Sequence, residues 1–238
     1  LFDSLCGELV TNDPKVLQAT FGALVGDGLT NSLWHFSFLT LTCGVVALGV
    51  VNGIERLSKY LLPTLFILMI VIMIRSLSLP GAMEGVKFLF MPRWEDFSGS
   101  ALFNAMGFCF FSLSLGAGTM ITYGTYLSDK ANLPGSVGWV AVLAILSSLL
   151  GGLMVMPAVF AFGLDPAAGP GLTFVTMPAI FAKMPMGQLF AVFFYVCLVV
   201  AALTSSVSML EACTALLSKE FNLPRRTAIF TTVAGAAV

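Results

Sequence analysis

Long apolar runs place the strongest constraint on how this chain can fold. They cover approximately residues 37–51, 61–74, 101–127, 137–162 and 188–217, and a further run begins at 227–238. A helix of about 20 apolar residues crosses a hydrocarbon core of roughly 30 Å. The runs therefore predict an all-α integral membrane protein with about six helices, the last of which is incomplete.

The composition supports the same fold class. Apolar residues make up 58% of the 238 residues and charged residues 10%, and the mean hydropathy is +0.98. A water-soluble domain with these values would have too few polar residues to cover its surface. The runs lack the period-two alternation of a barrel strand. We therefore expect the lipid bilayer as a partner and no nucleic acid.

The connections between the runs predict the topology of one transmembrane domain. Six basic residues fall in the short connections: Arg56, Lys59, Lys130, Lys219, Arg225 and Arg226. Because cytoplasmic loops retain positive charge, we place these connections in the cytoplasm and the chain in the cell (inner) membrane, as a multi-pass protein. The chain begins with Leu1, which predicts an internal fragment of a longer protein. We expect extracellular loops at 1–33 and 163–186, and helices at 34–52, 59–77, 98–128, 136–162, 187–218 and 225–238.

The helix predicted at 98–128 is interrupted near its centre by Ser112, Ser114, Gly116 and Gly118. Within a bilayer, freed backbone groups are tolerated only where protein or a water-filled cavity satisfies them. The interruption therefore predicts two half-helices that meet at a binding site, where carbonyl groups can coordinate a small cation. The alternative is a helix-packing surface of small residues. Serines spaced two apart do not share a helix face, which counts against that alternative.

The same residues carry a resemblance to a known family. The stretch "FFSLSLGAGTMITYGTYL" (110–127) resembles the sixth transmembrane segment of the neurotransmitter:sodium symporter family, and of its bacterial amino-acid transporters in particular. "NGIERLSKYLLPTLFIL" (52–68) resembles the family's fourth-to-fifth helix connection, and its Gly53 and Pro63 have the spacing with which the family unwinds its fifth helix. "AALTSSVSML" (201–210) resembles an ion-binding stretch of the eighth helix.

The resemblance implies a particular architecture. It assigns the chain to helices four through eight and part of nine of a transporter fold of five plus five helices. The fold would be a partial inverted repeat with a discontinuous sixth helix. Helices one to three of the same protein would be missing partners of this chain.

A small, polar stripe in the eighth-helix motif is the candidate metal site. Its members, spaced for one helix face, are Ala201, Thr204, Ser205, Ser208, Met209 and Ala212. Sodium is a hard cation that needs several oxygen ligands. The resemblance implies that the Ala201 carbonyl and the Thr204 and Ser205 hydroxyls form most of the second sodium site. Alternatively, the hydroxyls bond back to their own helix.

The resemblance also implies a substrate site for an amino acid or a related amine. Ser114 would contact the substrate, Phe111 and Met209 would line its side-chain pocket, and Ala117 would leave room where a bacterial relative carries phenylalanine. The full set of expected substrate-site residues is Phe111, Ser112, Ser114, Gly116, Ala117, Ser205 and Met209.

The first sodium site departs from the family pattern. Ser112 would contribute to it, but the seventh-helix asparagine of the family is replaced by Leu143 or Ala144, which offer no side-chain oxygen. We therefore expect this site to be weak or lost. Ser147 and Ser148 lie about one turn further on, and with Ser112 they are candidate contacts for chloride.

Two residues are candidates for gating. Tyr126 falls at a family position associated with the inner gate. The alternative is an ordinary aromatic residue at the membrane interface. Glu211 is the acid that lies well inside a span, and intramembrane acids are functional candidates by default. Two roles are open for Glu211. It has a gating or proton-linked role, or it is a structural partner for a helix outside the chain.

The function that these patterns predict is sodium-coupled symport of an amino acid or related amine by alternating access. The alternative is a transporter-like scaffold or truncated gene product without flux. An enzyme is disfavoured because the spans contain no nucleophile–base pair or metal-ligand cluster.

Overall fold

The computed structural model describes residues 14–116, 118–128, 130–166, 169 and 171–236, and these contain helices and connections but no strand. Ten α-helices occur in this part of the chain: α1 (Pro14–Gly26), α2 (Gly28–Ala47), α3 (Arg56–Leu77), α4 (Ala82–Phe90), α5 (Gly99–Ser112), α6 (Thr119–Gly124), α7 (Leu133–Ala161), α8 (Met177–Lys183), α9 (Gly187–Glu220) and α10 (Arg225–Ala236). Two π-helical segments, Val50–Glu55 and Leu172–Thr176, directly precede α3 and α8. The all-helical class predicted from the apolar runs is confirmed.

Three helical segments are long and apolar enough to cross a membrane: Val50–Leu77, Leu133–Ala161 and Gly187–Glu220. They lie where we predicted the fifth, seventh and eighth helices. The shorter apolar helices in the described residues include Gly99–Ser112 and Leu172–Lys183. The predicted span at 98–128 is divided into α5 and α6, so neither part alone has the length of a spanning helix.

The regions that we expected as loops contain helical structure. Helix α1 and the beginning of α2 lie within 1–33, and α8 lies within 163–186. In α8 the side chains of Met177, Ile180 and Phe181 are at most 1% exposed. Burial of apolar side chains by neighbouring helices explains why this stretch is ordered as a helix, which the prediction from spans did not include.

The chain forms two compact units. The first contains the described residues up to Trp34, together with Leu62–Pro92 and Ser147–Ala201. Its core includes Met69, Met154, Phe181 and Phe194. A Cβ atom on Gly85 of α4 would lie 2.6 Å from the Met156 carbonyl oxygen and the Pro157 Cα of α7. Glycine is therefore required there for the close approach of the two helices, as in small-residue packing within membranes.

The second unit contains His35–Leu61, Arg93–Leu146 and the residues from Ala202 onward. Its buried cluster joins α2, α9 and α10 through Val46, Leu203, Val207, Leu210 and Ile229. All of the polar contacts described below for the candidate site lie within this unit.

A break separates α5 from α6. The amide groups of Leu113, Ser114 and Leu115 donate to the carbonyl groups of Cys109, Phe111 and Phe110 at 3.0 to 3.1 Å, which closes the end of α5. Ser114 has φ 54° and Gly118 has φ 71°. A left-handed backbone is costly for serine and not for glycine. Ser114 therefore carries backbone strain within the break. Strain of this kind is concentrated at functional sites.

A second irregularity joins α2 to α3. Gly49 has φ 84° and is followed by the π-helical segment Val50–Glu55. A Cβ atom on Gly53 would collide with the carbonyl oxygen of Val45, so only glycine permits this close approach. Helix α3 then continues through Pro63 to Leu77. The irregular backbone thus precedes α3, where the resemblance had implied unwinding between Gly53 and Pro63.

Candidate functional site

A fully buried carboxylate lies at the centre of the second unit. The side chain of Glu211, on α9, has 0% exposure. Its Oε2 atom accepts from Nη2 of Arg225 at 2.6 Å and its Oε1 atom accepts from Nη1 at 3.0 Å. A buried charge is costly unless it is paired and hydrogen-bonded. The two-pronged contact with Arg225, the first residue of α10, meets that requirement within this chain, without a helix from outside it.

Two further elements join this ion pair. The Tyr126 hydroxyl, just beyond α6, donates to Glu211 Oε1 at 2.6 Å. Arg225 Nη2 also donates to the carbonyl oxygen of Val46, near the end of α2, at 3.0 Å. The network of Tyr126, Glu211, Arg225 and the Val46 carbonyl, called the carboxylate network below, therefore ties together four segments that are distant in sequence.

A second hydrogen-bonded chain runs beside this network. The Tyr123 hydroxyl donates to Oγ of Ser208 at 3.1 Å, and Ser208 donates to the carbonyl oxygen of Thr204 one turn earlier at 3.0 Å. Ser208 therefore bonds back to its own helix, as one interpretation of the polar stripe anticipated. These two hydrogen bonds link α6 to the turn of α9 that carries the predicted sodium ligands.

The predicted sodium ligands lie on one continuous helix. Ala201, Thr204 and Ser205 all belong to α9. Ala201 and Ser205 are exposed, while Thr204 is half-buried. Ser112, the predicted contributor to the first sodium site, is the last residue of α5 and is exposed.

Several of the predicted substrate residues lie at the helix break, whereas Ser205 and Met209 belong to α9. Ser114 and Gly116 lie in the turn between α5 and α6, and Phe111 lies at the end of α5 with 83% of its surface exposed. Ala117 lies outside the described residues. A Cβ atom on Gly116 would meet no atom within 4 Å, and the glycine whose backbone demands its residue type is Gly118.

Met209, the other residue expected around the substrate side chain, lines a cavity in the second unit. This cavity has a volume of about 370 Å³ and lies between α2, α9 and α10, and its lining includes His35, Thr42, Cys213 and Thr232. Phe111 does not line it, so this cavity does not unite the two residues expected around the substrate side chain.

Arg225 and Gly118 are the main residues whose roles sequence reasoning missed. We assigned Arg225 to the cytoplasmic surface because it falls among basic residues in a short connection. The sequence did contain a signal for its pairing with Glu211. An acid inside an apolar span requires a cation close by, and Arg225 is the first residue of the helix that follows. Gly118 was noted as part of the interruption, but its left-handed backbone could not be told from the composition of the turn.

The chain is similar to known proteins over most of its length. The family model of the sodium:neurotransmitter symporter family matches residues 26–238. An uncharacterized sodium-dependent transporter of Bacillus subtilis, YhdH, is 43% identical over 206 residues, which are 85% of this chain and 46% of that protein. An uncharacterized sodium-dependent transporter of Methanocaldococcus jannaschii is 36% identical over 230 residues, which are 90% of this chain and 44% of that protein.

A solved structure has the same fold. The crystal structure of MhsT in complex with L-phenylalanine superimposes with a TM-score of 0.87 and 38% sequence identity, covering 99% of this chain and 54% of that one. The chain thus spans about half the length of the relatives it matches. The match over residues 26–238 places it in a family of transporters and not of enzymes. The chain belongs to the sodium:neurotransmitter symporter family.

Proposed function

We propose that the protein is a sodium-coupled symporter of an amino acid or a related amine that works by alternating access, as a multi-pass protein of the cell (inner) membrane. The observation that carries the proposal is the break between α5 and α6, with its left-handed serine at Ser114. Discontinuous helices of this kind expose backbone groups to substrates and ions in secondary transporters. The similarity to a transporter structure with bound L-phenylalanine supports the same function.

The proposed substrate is an α-amino acid with an apolar side chain. MhsT was solved with L-phenylalanine, and a relative from Drosophila ananassae is named a sodium-dependent nutrient amino acid transporter. Ser114 would contact the polar end of the substrate, and Phe111 would border its side chain. Ala117, in place of a larger residue, would leave room for an aromatic ring.

Sodium would enter as a co-substrate. The Ala201 carbonyl and the Thr204 and Ser205 hydroxyls offer neutral oxygens on α9, which suit a hard monovalent cation without placing another buried charge. Inward movement of one elementary charge is worth roughly 2.3 kcal/mol per 100 mV. Sodium moving down its gradient can therefore drive accumulation of the substrate.

The carboxylate network is proposed as the inner gate, with Tyr126 and Glu211 as its gating residues. It joins segments that an opening movement would have to separate, and Arg225 holds both oxygens of the Glu211 carboxylate. Opening would break a charge-assisted hydrogen bond from Tyr126 and the contact with Val46. The network would therefore hold the transporter closed on one side until substrate and sodium are bound.

Equilibrium binding tests the proposal. Titration of L-phenylalanine into the purified full-length protein should give binding in sodium chloride and little binding in potassium chloride. Thr204→Ala should abolish the sodium requirement or the binding. Thr231→Ala is the matched control, because Thr231 is exposed and its hydroxyl donates to the carbonyl oxygen of Thr227 on its own helix.

Three outcomes would count against the proposal. Binding of equal strength in both salts would argue against sodium coupling, and the same loss in Thr231→Ala would show a general effect on the fold. A protein that binds none of the twenty amino acids in sodium would favour the scaffold without flux.

A further inference from the structure

A groove lies at the junction of α2 and α3, away from the carboxylate network. Its volume is about 240 Å³. Its surface is mainly apolar, with Val45, Leu48 and Leu61 among the lining residues, and the polar residues Asn52, Arg56 and Tyr60 also line it. The whole lining belongs to the second unit.

The backbone explains why the groove exists. The π-helical segment Val50–Glu55 follows the left-handed Gly49, and Gly53 allows the chain to pass close against the Val45 carbonyl. The end of α2 and the first turns of α3 therefore meet at their backbones near Gly53. Two residues of the lining, Leu48 and Tyr60, are each 65% exposed.

The polar residues of the lining are hydrogen-bond donors. Asn52 lies in the π-helical segment, and Arg56 and Tyr60 are four residues apart on α3, which places these two along one helix face. Four residues of α-helix rise by about 6 Å. Arg56 and Tyr60 therefore follow the helix from the charged connection toward the apolar span.

Arg56 is the basic residue in the lining of the groove. Arg56 makes no ion pair with any residue that the structure describes. Lys59, less than one helical turn away, is exposed and adds to the positive charge, and the neighbouring Glu55 does not line the groove. A cationic head beside an apolar wall, at the edge of a membrane span, is complementary to an anionic amphiphile and to no purely polar ligand.

We propose that this groove binds one anionic phospholipid, with the phosphate at Arg56 and Asn52 and the beginning of an acyl chain against Val45, Leu48 and Leu61. Tyr60 would lie at the level of the glycerol and ester groups, where aromatic residues with a polar tip are favoured in membranes. Basic pockets between membrane helices are known to hold lipid head groups in this way. The inference does not depend on the proposed transport, because the groove shares no side chain with the carboxylate network or the helix break.

Native mass spectrometry of the detergent-purified protein, titrated with phosphatidylglycerol or phosphatidylcholine, tests the proposal. The wild type should bind phosphatidylglycerol more tightly than phosphatidylcholine. Arg56→Gln should weaken phosphatidylglycerol binding about fivefold, the effect of one basic residue near a membrane surface, and should leave phosphatidylcholine binding unchanged. Leu48→Ser should weaken the binding of phosphatidylglycerol as well, because it removes part of the apolar wall.

The control is Arg226→Gln, which removes the same charge from an exposed position outside the groove and should leave phosphatidylglycerol binding unchanged. Equal affinity for the two lipids, unchanged binding in Arg56→Gln, or an equal loss in Arg226→Gln would overturn the proposal. Displacement of the lipid by glycerol 3-phosphate at similar concentrations would also overturn it, because the site would then recognise a free phosphate group and not a lipid.

Discussion

Glu211 and Arg225 form a pair in which each residue depends on the other. With Arg225 truncated, a fully buried carboxylate would lose its cation, and breaking such a pair typically costs about 3 kcal/mol or more. We therefore expect Arg225→Met to lower the stability of the protein strongly in detergent unfolding measurements. The double variant Glu211→Met with Arg225→Met should be less destabilised, because no unpaired charge remains. A double variant as unstable as the sum of the two single ones would contradict this account.

Tyr126 and Tyr123 provide a matched pair of hydroxyl groups. Tyr126 donates to a carboxylate and Tyr123 to a neutral serine, and hydrogen bonds to charged groups contribute about 1.5–3 kcal/mol against about 0.5–1.5 for neutral ones. If Tyr126 acts in the gate, Tyr126→Phe should change the rate of substrate uptake while sodium-dependent binding is kept. Tyr123→Phe should have the smaller effect on uptake. Equal effects, or loss of binding in Tyr126→Phe, would argue for a merely structural role.

The sequence was informative about single residues where a residue type was unusual for its surroundings. An acid inside an apolar span identified Glu211 as a residue to explain, but its contact with Tyr126 had not been predicted. The pairing of Arg225 with Glu211 was missed, because a basic residue at the start of a helix is equally typical of the cytoplasmic surface to which we had assigned it. The contact with the Val46 carbonyl depends on how α2 ends, which has no signal in side-chain chemistry.

The broken helix is the element on which the proposed site depends. Its interruption could be predicted, since serine and glycine are poor choices for a lipid-facing helix. We expected two half-helices, and the helices on the two sides of the break contain 14 and 6 residues. The difference arises because Thr125 and Tyr126 lie in turns after α6, and apolar composition does not distinguish a turn from a helix inside a span.

Two glycines in the break differ in what their positions require. Comparing them tests whether the backbone conformation at Gly118 matters. Gly118 has φ 71°, whereas a Cβ atom on Gly116 would meet open space. Gly118→Ala should therefore cost about 1–2 kcal/mol, the strain of a left-handed alanine, and Gly116→Ala should cost much less. Thermal unfolding in detergent and the affinity for L-phenylalanine measure both effects. A larger loss in Gly116→Ala than in Gly118→Ala would show that the bound state uses a different backbone.

The π-helical segment before α3 had no counterpart in the prediction. The spacing of Gly53 and Pro63 was interpreted, through the family resemblance, as the one with which the family unwinds its fifth helix. In the structure α3 passes through Pro63, and the close approach of Gly53 to Val45 produces the irregular backbone earlier. Such an approach depends on packing between two helices, which a single segment of sequence does not specify.

For the whole molecule, the family and the helical fold could be predicted because many motifs occur in the correct order. The division of the described chain into two compact units could not, since both contain residues from widely separated parts of the sequence. The ion sites stay predictions that rest on residue types. Oxygen ligands for the second sodium site are present on α9, while Leu143 and Ala144 supply none for the first.

The missing asparagine leads to a prediction about the number of sodium ions. A first site without an amide oxygen should bind sodium weakly, because a cation in a low-dielectric pocket needs its ligands to replace water. We therefore expect a coupling ratio nearer one sodium per substrate than two. Reversal potentials of substrate flux in proteoliposomes, at a series of sodium gradients, measure this ratio. A value of two would show that other groups complete the first site.

Uptake of radiolabelled L-phenylalanine into proteoliposomes holding the full-length protein tests sodium-coupled transport most directly. An inward sodium gradient should drive accumulation above the external concentration, and an equal potassium gradient should not. Thr204→Ala should abolish this accumulation, while Thr231→Ala should retain it. Accumulation that proceeds equally in potassium, or that survives Thr204→Ala, would contradict the account.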